Sequence, residues 1–348
     1  MGSIKVVLLG VGNATSVFLQ GLYYYKNSDD DDYSGIWHPV VGNYKISDIE
    51  VIGAFDIDSK KIGLDLADAI YKNKTTKYLD IEKTGIDVEA GILNDELPSH
   101  LKSIINVSSS NYDYVLNSFK ELKPDIVINL ISSGLDNTSK LYAECSLEAN
   151  ADFINATPTN LTKSELAYRY DKEGILLIGD DLMSQFGGTA FHKGIVNFMV
   201  ERGIVIEKSY QLDVGGNMDT LNTMEERIKR LKSKVKTDAI NIEAPYEFES
   251  IAGTTEYTEF LDDGRISYYW LRSKGFINTP ITVDIVLRTN DGANAANVLL
   301  DVIRATKYSK INNINGKDII SSYGFKNAPK IKRIRDAYKE FTEMFVNI

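Results

Sequence analysis

The chain has 348 residues, 43% of them apolar and 25% charged, and its 39 basic against 49 acidic side chains give a net charge of -10. That length leaves room for about two domains of roughly 150 residues each, while the acidic balance argues against nucleic acid as a partner and asks that any anionic substrate be met by a local basic pocket. One cysteine, Cys145, excludes an intramolecular disulfide framework and a Cys-based zinc site; the three histidines (His38, His100, His192) are scattered, no metal site is expected from them, and no apolar run reads as a membrane span or a signal peptide, so a cytoplasmic globular protein is expected.

Ile4–Leu9 is an apolar run with one Lys, the pattern of a parallel strand buried on both faces. Gly10-Val11-Gly12-Asn13-Ala14-Thr15 follows, and Ser16–Tyr25 reads as a helix. A polar insertion then carries Asp29–Asp32, a charge run that reads as a hydrated loop rather than a metal site. Val51–Asp56 is a second strand, and the helix after it places Ile62, Leu66, Ala69 and Ile70 on one face. Asp125–Ile131, Asp152–Ala156 and Gly174–Ile178 read as further strands, with a helix over Thr138–Ala149. This alternation predicts an α/β fold with a Rossmann-like, doubly wound parallel sheet.

The pattern changes after Gly187. A helix runs through Val200, a strand covers Ile206–Val214, and Gly215-Gly216-Asn217-Met218-Asp219 leads into a charged helix. There Met224, Ile228, Leu231 and Val235 form an apolar stripe, with Lys232 and Lys236 one turn apart along its edge. Ile281, Val283, Ile285 and Leu287 alternate with Thr282, Asp284, Val286 and Arg288, which predicts a sheet with one face more buried than the other, a candidate subunit interface. From Asn294 the chain returns to helix, with Val298, Leu299, Val302 and Ile303 at helical spacing.

A glycine turn between strand and helix sets backbone N–H groups and the positive helix end against a pyrophosphate. Gly10 and Gly12 supply two glycines, followed by Asn13 and Ala14, but Thr15 stands where a third glycine is usual. Asp56 closes the second strand, where an acid accepts ribose hydroxyls and repels a 2′-phosphate, which favours NAD over NADP; a solvated strand end or a helix cap is the plain alternative. Ser132, Thr157 and Asp180 lie at the carboxyl ends of later strands, where such sheets bind ligands.

These segments occur in one order: Gly10-Val11-Gly12-Asn13-Ala14, His38-Pro39, Phe55-Asp56-Ile57-Asp58, Asn155-Ala156-Thr157-Pro158, Gly179-Asp180-Asp181 and Gly215-Gly216-Asn217-Met218-Asp219. In that order, and over nearly the whole chain, the sequence resembles the myo-inositol-phosphate synthase family in its compact archaeal and bacterial form. The resemblance implies a dinucleotide-binding domain (1–186), an inserted α+β catalytic and oligomerisation domain (187–293) and C-terminal helices that return to the first domain (294–348). It also implies a homotetramer that uses NAD to convert glucose 6-phosphate to 1D-myo-inositol 3-phosphate, an isomerase of inositol and phospholipid biosynthesis. The family reaction oxidises C5, enolises at C6, closes the ring onto C1 by an aldol step and reduces C5 again. A divalent or monovalent cation is left open.

By the resemblance, Lys232 and Lys236, thirteen and seventeen positions after Asp219, are two catalytic lysines. Without it, a solvated basic helix face is the better reading. The resemblance also assigns Asp219 and Lys326 to the reacting end, Asn217 and Asp213 to substrate, and Ser184 and Asp291 to the cofactor region; a helix cap is the bland alternative for Asp291, and His192 reads as a packing residue. Three positions depart from the family: Arg265 replaces a catalytic lysine, Asp213 an asparagine and Met183 a lysine. Arginine binds a phosphate or hydroxyl but does not readily release a proton. These departures bear on the substrate, and keep in view another sugar phosphate, a net NAD-dependent dehydrogenase and a non-catalytic NAD-binding protein.

Overall fold

The computed structural model describes residues 2–27, 34–72 and 75–347; the aspartate run Asp29–Asp32 lies outside them. The chain opens with β1 (Ile4–Leu9) and the helix Asn13–Asn27. A short hairpin, β2 (Val40–Val41) and β3 (Tyr44–Lys45), precedes β4 (Ile49–Asp56), β5 (Val88–Ala90), β6 (Ile126–Asn129), β7 (Asp152–Asn155) and β8 (Leu177–Ile178). Six strands pair in the order β5-β4-β1-β6-β7-β8, every pair parallel. Order reverses between β4 and β6 on either side of β1, the crevice where doubly wound sheets bind ligands.

Strand alternation decides which helices cover which face. Ile4, Val6 and Leu8 point into a core shared with Phe18, Leu22, Val298, Val302, Phe341 and Phe345. Val7 and Leu9 point the other way, against Val115, Phe119, Tyr142 and Tyr170. The helices Asn13–Asn27 and Asp291–Ile311 therefore share one face, so the end of the chain completes the layer that its beginning starts. One expectation is corrected here: the helix drawn through Ile62 is a four-residue turn of helix, Leu66–Ala69. Gly63 at φ +79° breaks the chain before it, and Asp65 caps it by accepting from Ala67 N at 2.8 Å.

The second sheet has the order β10-β9-β11-β12, from β9 (Val205–Gly215), β10 (Glu249–Tyr257), β11 (Gly264–Lys274) and β12 (Pro280–Asn290). β9 and β10 are parallel, and β11 runs antiparallel to β9 and β12. The helices Gly188–Glu201 and Glu226–Asn241 cover one face, where Val196, Met199, Ile240, Tyr269 and Leu271 pack with Val283, Ile285 and Leu287. The opposite face is open, with Ile251, Leu212 and Val286 exposed and Tyr210 stacked on Trp270 at 5.3 Å between ring centroids.

Candidate active site

A cavity of about 270 Å³ lies where the carboxyl end of the parallel sheet meets the second sheet and its helices. Gly12, Asn13, Ala14, Ser132, Thr157 and Ser184 line it together with Asn217, Asp219, Lys232, Lys236, Arg265, Asp291 and Lys326. These residues span the chain from the first turn to the last loop, and the fold alone brings them together.

Gly10 holds φ +86°, and a Cβ there would stand 3.0 Å from the Ile131 Cα and the Leu130 carbonyl, so only glycine fits. A Cβ at Gly12 would meet nothing within 4 Å, which leaves the turn open in front of the helix Asn13–Asn27. Asp56 locks this turn from below: its carboxylate accepts from Val11 N at 2.7 Å and from Lys61 Nζ at 3.2 Å. Lys61, itself buried, donates to the Val11 carbonyl at 2.7 Å, and Asp58 N donates to the other Asp56 oxygen at 2.8 Å. The cradle fits a pyrophosphate: open backbone at Gly12 immediately before a helix start.

Across the cleft, Asn217 caps the short helix Met218–Thr223 by accepting from Thr220 N at 2.9 Å, which sets Asp219 in its first turn. Lys232 Nζ donates to both Asp219 oxygens at 2.6 and 2.8 Å and to Thr223 Oγ1 at 3.1 Å. Enclosure in the cleft pulls the Asp219 carboxyl up, but Lys232, with Arg265 and Lys326 farther off, outweighs that and holds it below the usual carboxylate range. The lysine helix begins only at Glu226, and its buried face is Ile228, Lys232, Val235, Lys236, Ala239 and Ile240. The apolar stripe expected through Leu231 is thus corrected: Leu231 is 41% exposed and both lysines point inward. Carboxylates waiting on the facing elements reverse the usual preference for burying leucine over lysine.

Each of the four cations meets a carboxylate. Lys236 Nζ lies 2.7 Å from Asp213, Lys326 Nζ 2.8 Å from Asp181, and Arg265 pairs with Asp291 and, at 3.5 Å, with Asp213. Burial pushes the Lys236 ammonium down; Asp213 opposes this, and Arg265 and Lys326 add to it. For Arg265 burial works against the charge, yet Asp291, Asp213 and Asp219 outweigh it and keep the guanidinium protonated.

Several expected residues stand elsewhere than on the cleft wall. Asp213 is fully buried beneath Lys236, and Asp56 lies under the glycine turn. Asp180 turns away to accept from Asn155 Nδ2, Leu161 N, Thr162 N and Thr162 Oγ1, and burial pushes its carboxyl up to about 6. Its neighbour Asp181, at φ +61°, is the one that faces Lys326. Asp263, which the sequence does not flag, joins three elements by accepting from Asn13 Nδ2 at 2.6 Å, Gly292 N at 3.1 Å and Asn217 Nδ2 at 3.3 Å. His192 is a packing residue: it is buried, touches Ser209 Oγ at 2.6 Å and Gln211 Oε1 at 3.2 Å, and burial pushes it down to about 4. Among the described residues no three His, Cys, Asp or Glu side chains are placed to hold a metal ion, and no helix is long and apolar enough to cross a membrane.

Comparison with known proteins gives three findings. The profile of the family described as myo-inositol-1-phosphate synthase matches residues 187–292. Two proteins named inositol-3-phosphate synthase align almost end to end: one from Mycolicibacterium smegmatis is 32% identical over 341 residues, covering 94% of each chain, and one from Corynebacterium glutamicum is 31% identical over 356 residues, covering 99% of this chain and 98% of its own. The crystal structure of an inositol-3-phosphate synthase from Caenorhabditis elegans superposes with a TM-score of 0.82 at 15% identity, covering 99% of this chain and 85% of the other, which shows a shared fold.

Proposed function

The chain belongs to the myo-inositol-1-phosphate synthase family, and we propose that it is an inositol-3-phosphate synthase, an isomerase that turns glucose 6-phosphate into 1D-myo-inositol 3-phosphate with NAD as internal hydride carrier. The observation that carries this reading is the convergence of Lys232, Lys236, Arg265 and Lys326 on one cleft, opposite an open glycine turn.

When bound, NAD would supply a hydride acceptor for C5 and, after ring closure, the hydride donor. Gly10, Gly12, Asn13 and Ala14 would cradle its pyrophosphate, with Asp56 fixing the turn, and Ser132, Thr157, Ser184 and Asp291 would hold the remainder. Lys236, whose ammonium burial weakens, holds and releases the proton of the C5 oxygen more readily than a surface lysine does. Lys232 and Lys326 donate to the oxygens that gain negative charge during enolisation and closure. Asp219 orients Lys232, and Asp181 orients Lys326. Arg265 cannot exchange protons and acts as a fixed charge. Because every cation is already paired, a substrate phosphate enters by competing with carboxylates, which favours a dianionic ligand over a neutral sugar.

One observation favours a second reading, a relative acting on another sugar phosphate: Arg265 is committed to Asp291 and Asp213, and the buried Met183 adds no cation. We further propose a cytoplasmic homotetramer assembled through the open face of the second sheet, and a division of the chain into segments 1–186, 187–293 and 294–348.

The test is incubation of purified protein with glucose 6-phosphate and NAD, followed by phosphorus NMR and absorbance at the NADH band. A new inositol phosphate signal without net NADH is the expected result. Accumulating NADH points to a dehydrogenase. No conversion, with NAD shown to bind, transfers the assignment to another sugar phosphate or to a non-catalytic role.

A further inference from the structure

The resemblance points to Asp213 as a substrate ligand, yet the structure gives it no exposed surface. Its two oxygens are fully engaged: Gln211 Nε2 donates at 2.8 and 2.9 Å, Ser267 Oγ at 2.7 Å and Lys236 Nζ at 2.7 Å, with the Arg265 guanidinium at 3.5 Å. Arg265 reaches on to Asp291, the first residue of the helix Asp291–Ile311. Four charged groups from four elements thus form one chain, with Lys236 and Arg265 each only about a tenth exposed or less.

We infer that Asp213 is a positioning residue: with Arg265 it builds a buried bridge, Asp291–Arg265–Asp213–Lys236, that fixes the Lys236 ammonium at the floor of the cleft and governs its protonation. The inference rests on the cleft being where a sugar phosphate reacts. It also joins two departures into one. A planar guanidinium serves two carboxylates at once, whereas a lysine at position 265 is a point charge that cannot span them. An asparagine at 213 would leave two buried cations without a shared counter-charge. The acid and the arginine therefore compensate for each other.

The groups around Lys236 fix the sign of the pH effect. Asp213 faces it from β9, Arg265 from β11 and Lys326 from the loop after the helix Lys317–Gly324; Asp291 acts through Arg265, and Asp219 with Lys232 lies one turn away. Burial, Arg265 and Lys326 all favour the neutral amine, and Asp213 opposes them. Removing the Asp213 charge lets Lys236 lose its proton at lower pH.

The experiment compares D213N, R265K and the double variant in two assays: kcat against pH with glucose 6-phosphate, and thermal unfolding, which needs no substrate. D213N is expected to move the limb that reports Lys236 toward acid by about one pH unit or more and to lower kcat at least about tenfold. The double variant is expected to recover several-fold over D213N, and the melting effects to be non-additive. Additive losses with an unmoved pH profile overturn the inference. If D213N does not fold, D213E must keep the limb in place while kcat falls, and a moved limb counts against the bridge. If the wild type does not turn over glucose 6-phosphate, the function assigned above fails, while the melting cycle still decides whether the bridge exists.

Discussion

At the scale of single residues, the site separates what motif spacing reveals from what only geometry reveals. Lys232 and Lys236 are singled out by the resemblance through their distance from Asp219, but which aspartate of Gly179-Asp180-Asp181 faces the cleft was not legible, because it depends on the backbone at the strand end, where Asp181 takes φ +61°. Lys232 is held by Asp219 and Thr223, and among the described residues no hydrogen bond joins it to the glycine turn. Replacing Lys232 with Ala should therefore lower product formation by on the order of 10³-fold, as the loss of a buried donor to a developing charge does, and leave NAD affinity within about threefold, since no turn contact is lost. Product by phosphorus NMR and NAD binding by fluorescence check the two halves, and unchanged turnover would remove Lys232 from the mechanism. Lys61 makes the opposite prediction. It joins the Val11 carbonyl to Asp56 under the turn, so Lys61→Met strands two buried acceptors. NAD affinity should fall about tenfold, for a cost near 1.4 kcal/mol, with kcat at saturating NAD little changed.

At the scale of elements, the parallel strands were legible because burial on both faces writes unbroken apolar runs. The lysine helix was legible as a helix but its buried face was not: that face carries two charges that make sense only against carboxylates on β9 and on the helix Met218–Thr223, which lie elsewhere in the sequence. β10 and β11 escaped for a related reason. Their inward positions include Thr254, Ser267 and Ser273 among the apolar ones, which blurs the period-two signal. The far end of the lysine helix holds a second buried pair, Glu243 and Lys193 at 3.2 Å, where Glu243 also accepts from Ile334 N at 2.9 Å. Burial outweighs the pairing, pushes the Glu243 carboxyl up to about 7 and pulls the Lys193 ammonium down. A carboxyl raised in the folded state binds its proton more tightly there than in the unfolded chain. Stability from this group is present below the unfolded value near 4.5 and is lost as pH rises toward 7. Glu243→Gln should flatten the decline in melting temperature across that window, an effect on the order of 3 kcal/mol. A decline of undiminished slope in the variant would place its cause in other groups.

At the scale of the whole molecule, the two sheets are treated unequally. The parallel sheet is covered by helices on both faces, while among the described residues the second sheet is covered on one face alone. The alternation in Ile281–Arg288 announced that asymmetry, but the uncovered face is drawn from all four strands: Tyr210 and Leu212 on β9, Ile251 on β10, Tyr268 and Trp270 on β11, and Val286 on β12. Tyr210 contacts both Tyr268 and Trp270, at 5.8 and 5.3 Å, so the face is an ordered aromatic platform rather than scattered surface residues. A contiguous apolar platform of this kind is costly in water and marks an interface, and in an isologous contact the same platform meets its own copy. The lysines lie beyond the opposite face, on the helix that covers it, so disturbing the platform need not disturb the cleft. Trp270→Glu puts like charges against each other across such a contact. It should convert the proposed tetramer, as read by light scattering, into smaller species while NAD binding and the melting of the parallel sheet persist. A Trp270→Glu protein that keeps the wild-type mass would show that the chains meet through another surface.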